Sequence, residues 1–193
     1  MPTVAIVYYS AQGHTHQIAE AVAEGAKSVP GTTVEVHRIA DADIQNGRFG
    51  NKALLDRLGT ADAIIFGTPT YMGGVASQVK AFIDATGGIW FAQGWRDKVA
   101  AGFTHSQGLS GDKLNTLNGL YINALQHGMI WVGTGANPEG STPDKFNRIS
   151  SFSGVMAQTD YGQEKVNEGD VKTAKHLGKR VAEATARWVR GNA

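Results

Sequence analysis

Five short apolar, β-branched runs recur along the chain: Val4 to Tyr9, Thr33 to Arg38, Ala63 to Gly67, Val99 to Thr104 and Met129 to Val132. Each reads as a buried strand rather than an alternating, half-exposed one. Longer segments with helical spacing separate the runs. Ile18, Ala19, Val22, Ala23 and Ala26 share one helical face, and Pro30-Gly31 stops it. Ala53 to Leu58 is a short, weakly patterned second segment; Val79, Phe82 and Ile83 mark a third helix. Leu114, Leu117, Tyr121 and Leu125 mark a fourth. A last helix runs from about Val171 to Trp188, with Val171, Ala174, Leu177, Val181 and Ala182 inward and Lys172, Lys175, Lys179, Arg180 and Arg187 outside or at its edges. A β-α unit repeated five times dictates a parallel sheet with helices on both faces, since parallel strands need right-handed crossovers. Ligands of such sheets bind at the carboxyl ends of the strands.

With 193 residues and 41% hydrophobic content, one domain spanning 1–193 is the expectation. The segment from about Thr134 to Gly169 has no clear pattern, and loops of that length usually serve a function or lack order. The chain has no cysteine, which excludes disulfides, Cys-ligated metal sites and a thiol nucleophile. Redox chemistry therefore requires a bound cofactor. Lys plus Arg number 18 against 17 Asp plus Glu, so no general field draws nucleic acid or anionic lipid. The stretch Leu114 to Pro138 lacks charge but carries four Asn and several Gly, too polar for membrane insertion. No signal-like segment opens the chain, so a cytoplasmic location is expected.

Ser10-Ala11-Gln12-Gly13-His14-Thr15 lies where the first strand turns into a helix. Backbone N–H groups and two hydroxyls there can meet an anion at the helix amino terminus. The loop has no Lys or Arg and only one Gly, so neither a nucleoside-triphosphatase loop nor a G-x-G-x-x-G fingerprint fits. A single phosphate monoester suits this donor set; an ordinary capped helix start would use the same residues. His14 and His16 stand at i, i+2, which points their rings to different faces and disfavours a metal pair. No metal site is expected.

Five blocks extend the reading: Tyr8-Tyr9-Ser10 with Gly13-His14; Ala21-Val22-Ala23-Glu24-Gly25-Ala26; Asp62 to Thr70; Thr86-Gly87-Gly88-Ile89-Trp90; and His127-Gly128-Met129. In this order they resemble the flavodoxin-like NAD(P)H:quinone oxidoreductases of the tryptophan-repressor-binding-protein (WrbA-like) family. The resemblance implies a flavodoxin-like three-layer α/β sandwich with a five-stranded parallel sheet in the order 2-1-3-4-5. It also implies flavin mononucleotide (FMN) as cofactor, with its phosphate on Ser10 to Thr15.

By the same resemblance, Pro69, Thr70, Tyr71, Met72 and Gly73 contact the flavin ring. Tyr71 stands where the family often has Arg. His105, Ser106, Gln107, Gly108 and Ser110 run along the ring edge, where backbone amides would stabilise negative charge on reduced flavin. His105 and Gln107 depart from the family's small residues. Trp90 matches an aromatic at the mouth of the substrate pocket. His127 matches a flavin-proximal histidine, often supplied across a subunit contact, and is the candidate catalytic group. The expected activity is hydride transfer from NAD(P)H to FMN followed by two-electron reduction of a quinone, in a homo-oligomer, a dimer or tetramer. Two alternatives stay open: a flavodoxin-type electron carrier, which the near-neutral charge balance disfavours, and a non-catalytic flavin-binding regulatory protein. The region Ile149 to Asp160 lacks the family's Gly-Pro-Tyr-Gly-Ala run, which puts the acceptor site in question.

Overall fold

A computed structural model describes residues 1–191. In chain order its elements are β1 (Thr3–Tyr8), α1 (His14–Lys27), β2 (Thr33–Arg38), β3 (Ile44–Gln45), β4 (Arg48–Phe49), α2 (Lys52–Gly59), β5 (Ala63–Tyr71), β6 (Gly74–Val75), α3 (Ser77–Ala85), α4 (Gly87–Phe91), β7 (Val99–Ser106), α5 (Lys113–Gln126), β8 (Ile130–Trp131), β9 (Val155–Gln158) and α6 (Glu168–Gly191). Strands β2-β1-β5-β7-β8 lie side by side in that order, which is the flavodoxin-like order 2-1-3-4-5 of the five apolar runs.

In this sheet two strand pieces go beyond the expected five, and β3 and β4 pair as a separate hairpin. β6 turns back antiparallel on the end of β5. The fifth position is split: β8 pairs with Val99 and Ala100, whereas β9 pairs with Phe103 to Ser106 further along the same neighbour. Half of the edge strand thus comes from the segment that had no pattern of its own, because four residues are too few to print a period.

Alternation along the central strands feeds two cores. Ile6, Ile65, Ala101 and Phe103 face α1 and α6. Val7, Ile64, Phe66 and Ala100 face α2, α3 and α5. Each of the large fully buried side chains contributes about 1.5–3 kcal/mol relative to exposure. On the first face α1 and α6 cross so closely that a Cβ at Gly178 would collide with the Val22 carbonyl, and one at Gly25 with that of Lys175. This reciprocal glycine contact sets how closely the two helices approach each other.

The fourth helical stripe differs from its sequence reading. Of Leu114, Leu117, Tyr121 and Leu125 only Leu117 is buried. Helix α5 instead turns Lys113, Thr116, Leu117, Leu120, Asn123 and Ala124 inward, a helical face that includes three polar residues. The hydrogen bonds of Lys113 and Thr116, described below, make their burial tolerable. Among the described residues no helix is long and apolar enough to cross a membrane.

Candidate functional site

The carboxyl ends of β1, β5 and β7 surround a cleft of about 180 Å³. Its first wall is the loop between β1 and α1. Gly13 caps the helix with φ 92°, a left-handed conformation that a side chain would strain. The buried Ser10 hydroxyl accepts from the N–H groups of Gly13 (3.1 Å) and His16 (3.2 Å), so the loop's own bonds fix its curl. The N–H groups of Ala11, Gln12, His14 and Thr15 have no acceptor among the described residues. These amides and the Thr15 hydroxyl form an anion cradle at a helix amino terminus. No acidic side chain lines the cleft.

The second wall is Pro69, Thr70 and Tyr71. Behind it the hydroxyls of Thr70, Thr104 and Thr116 bond one another at 2.8 and 2.9 Å, a buried polar cluster in which each hydroxyl has a partner. Tyr71 and Gly74 then pair across a two-residue hairpin whose central residues, Met72 (φ 47°) and Gly73 (φ 74°), are both left-handed. Met72 pays strain for that position. It is fully exposed, and Tyr71 is half-exposed beside the cleft.

The third wall is His105, Ser106 and Gln107 at the end of β7. The His105 ring stacks on that of His14, and its Nε2 lies 2.7 Å from the Thr159 hydroxyl. Burial, with the neighbouring His14 and Lys113, pulls its pKa down from 6.5 to about 3, so it is neutral near pH 7. His14 Nε2 lies 2.8 Å from the Gln163 carbonyl, while His16 Nδ1 lies 2.6 Å from the Tyr8 hydroxyl. The two histidines thus serve separate partners, as their spacing dictates.

Eleven of the expected contacts therefore converge: Ser10, Ala11, Gln12, His14, Thr15, Pro69, Thr70, Tyr71, His105, Ser106 and Gln107. Gly13 shapes the cradle from beneath. Met72, Gly73, Gly108 and Ser110 lie on the adjoining loops and do not line the cleft. Asn115 Nδ2 donates to the Gly73 carbonyl at 2.8 Å, joining the hairpin to the start of α5.

Trp90 and His127 lie elsewhere within the chain. Asp97 N–H donates to the Gly128 carbonyl, which sets His127 beside the amino end of β7, opposite the cleft. The strand from Val99 to His105 spans on the order of 20 Å. His127 is buried, with Nε2 2.9 Å from the Thr86 hydroxyl and its ring 4.6 Å from that of Trp95. Burial lowers its pKa. Trp90, in α4, is half-exposed near the same end, beside the exposed Phe91. The expected contact between His127 and the flavin is not made within one chain.

Three further features escaped the sequence reading. Arg38, at the end of β2, donates to the Ser10 carbonyl at 2.7 Å and brings a cation to a loop that has none. Lys113, fully buried, donates to Ser106 Oγ (2.7 Å) and to the carbonyls of Gly108 (2.6 Å) and Leu109 (3.0 Å). Arg148 and Asp170 form a buried ion pair at 2.9 Å, joined through Gln158 to the Gln107 carbonyl. Arg38 could have been sought at a strand end; nothing local marks Arg148 and Asp170 as partners.

The comparisons with known proteins agree with this geometry. Residues 2–137 match the family described as NADPH-dependent FMN reductase. Flavodoxin FldP of Pseudomonas aeruginosa is 38% identical over 187 residues, covering 94% of this chain and 96% of that protein. An NAD(P)H dehydrogenase (quinone) of Syntrophobacter fumaroxidans is 33% identical over 201 residues, covering 97% and 98%. The crystal structure of a flavodoxin, WrbA-like protein from Agrobacterium tumefaciens is 40% identical, with a TM-score of 0.76 over 97% of this chain and 99% of that one. A cradle of unpartnered amides and a hydroxyl, without a carboxylate, suits the phosphate of FMN, and the chain belongs to the NADPH-dependent FMN reductase family.

Proposed function

We propose that this chain is an FMN-dependent NAD(P)H:quinone oxidoreductase, built as one FMN-binding domain. The observation that carries the reading is the acid-free cradle of Ser10 to Thr15 at the same strand ends as the Tyr71 hairpin and the His105 to Gln107 wall. The relatives named NAD(P)H dehydrogenase (quinone), similar over nearly their whole length, favour turnover over simple carriage. Bound FMN supplies the redox chemistry, taking hydride from NAD(P)H and delivering two electrons to a quinone.

The chain's own residues bind and orient. The free amides of Ala11, Gln12, His14 and Thr15, with the Thr15 hydroxyl, hold the phosphate, and Arg38 adds a positive field from behind Ser10. Tyr71 and Met72 cover one face of the ring, and the loop after Ser106 meets its edge. His105 stays neutral and keeps the floor of the cleft free of a second cation. Trp90 and His127 serve the acceptor pocket of a second copy, His127 holding or moving a proton at the quinone oxygen. Exposed Leu114, Tyr121, Ile122 and Leu125 on α5, and Trp90 and Phe91, provide apolar surface for such an assembly. A cytoplasmic location belongs to the same proposal.

The flavodoxin reading is favoured by one observation, the 38% identity to Flavodoxin FldP. An anaerobic titration separates the two. The oxidised flavin spectrum should bleach on adding NADPH or NADH and return with a benzoquinone. Bound flavin that neither nicotinamide bleaches would make the chain a carrier, and absence of flavin affinity would remove both readings.

A further inference from the structure

Lys113 is unusual for a lysine in being wholly buried while all three of its Nζ bonds go to neutral oxygens. No carboxylate bonds it directly. Two of its acceptors, the Gly108 and Leu109 carbonyls, belong to consecutive peptide groups of the loop that follows Ser106. In a trans peptide the C=O and the next N–H point to opposite sides. Holding these carbonyls inward therefore turns the N–H groups of Leu109 and Ser110 away from Lys113, and neither has an acceptor among the described residues. Asp112, which precedes Lys113 and lines a cavity with Leu109 and Ser110, is exposed; Asp170, the buried acid of the neighbourhood, is bridged by two bonds to Arg148 and also accepts from Gln158 N–H. The buried charges Lys113, Arg148 and Asp170 thus sum to one positive charge beneath the loop, with Asp112 at its surface. Burial already presses the Lys113 ammonium towards neutrality, with a pKa of about 8, and Asp170 offsets that only in part.

We infer that Lys113 is a positioning residue for the flavin, orienting the Leu109 and Ser110 amides and the Ser106 wall and supplying a buried positive charge, so that the site favours reduced FMN, with its extra negative charge, over oxidised FMN. This rests on the FMN reading above. Preorganised donors and a fixed charge need no reorganisation when that negative charge appears. A site of this sign suits an enzyme that accepts hydride, whereas a low-potential carrier needs the opposite preference.

The test compares the dissociation constants of oxidised and dithionite-reduced FMN, measured anaerobically at pH 7 with the unaltered apoprotein. Reduced FMN should bind at least as tightly as oxidised FMN, and amide exchange at Leu109 and Ser110 should slow when FMN is added. Lys113→Met should shift the ratio at least tenfold towards the oxidised form, about 30 mV in the midpoint of a two-electron couple. A residue that merely braced the loop would weaken both forms alike. Tighter binding of oxidised FMN by the unaltered protein, or an unchanged ratio in a folded Lys113→Met, overturns the inference and leaves FMN binding intact. Absence of affinity for either form overturns the FMN reading and this inference together. Should Lys113→Met fail to fold, the ratio in the unaltered protein decides.

Discussion

The rings of His14 and His105 stack in parallel at a centroid distance of 4.7 Å, joining the phosphate loop to the end of the β7 strand across the cleft floor. Protonating both would set two cations face to face, and the structure avoids this by holding His105 neutral. Its pKa of about 3 lies below the 6.5 of the unfolded chain. Between these values the unfolded state binds more protons, so stability is fully present above pH 6.5 and falls as pH drops from about 6.5 towards 3. The loss approaches ~5 kcal/mol at the acid end. Urea midpoints measured from pH 7.5 to 4 should follow this slope, and His105→Gln should flatten it by about one proton.

Arg38 and Ser10 should separate phosphate recognition from ring recognition. Arg38→Met removes a cation from behind the Ser10 carbonyl, so FMN affinity should fall about tenfold, or ~1.4 kcal/mol, and lose part of its salt dependence. Riboflavin, which lacks the phosphate, should bind as before. Titrating both flavins by fluorescence quenching checks this, and an equal loss for riboflavin would move Arg38 out of the phosphate site.

Gly178 gives a case in which two effects of known sign compete. Gly→Ala inside an exposed helix stabilises by about 1 kcal/mol through propensity. Here the added methyl meets the Val22 carbonyl of the facing helix, and forcing it in costs about 1–3 kcal/mol or more. Gly178→Ala should therefore lower the unfolding free energy in a denaturant titration. A more stable variant would show that the two helices have room to part.

His127 is tied to Thr86 and Trp95 at the end of the sheet remote from the cleft. His127→Ala should cost about 2 kcal/mol of stability, leave the FMN dissociation constant unchanged and slow quinone reduction. The activity loss should accompany an oligomer seen by gel filtration and vanish as a difference when the protein is diluted to monomer. Unchanged quinone kinetics in a flavin-loaded variant would reduce His127 to a packing residue.

Much of the site was legible because its parts are local. Ser10 to Thr15 is one strand-to-helix turn, and Pro69 to Gly73 one strand-to-hairpin turn, so short-range geometry alone brings donors and backbone to bear. Helix α5 was less legible. Leu114, Tyr121 and Leu125 look like a core stripe, yet the buried face carries Lys113, whose ammonium bonds the loop just before it, and Thr116, whose hydroxyl bonds Thr70 of β5. Apolar periodicity cannot weigh a hydrogen bond to a residue 46 positions away, such as that from Thr70 to Thr116. The second half of the edge strand was hidden for a related reason. Val155 to Gln158 becomes a strand only because Phe103 to Ser106 offers it a ladder.

The order of apolar runs and helical stretches determined a parallel sheet with its ligand at the carboxyl ends of the strands, because the crossover rule leaves little else for such a pattern. The missing Lys and glycines of the first loop likewise narrowed the ligand to one phosphate. Tertiary structure alone decided which charges surround it. Arg38 reaches Ser10 across 28 residues, Arg148 meets Asp170 across 22, and Lys113 loses its water to a core that no local window contains. Burial and long-range pairing are properties of the folded neighbourhood, and they set the charge of this site.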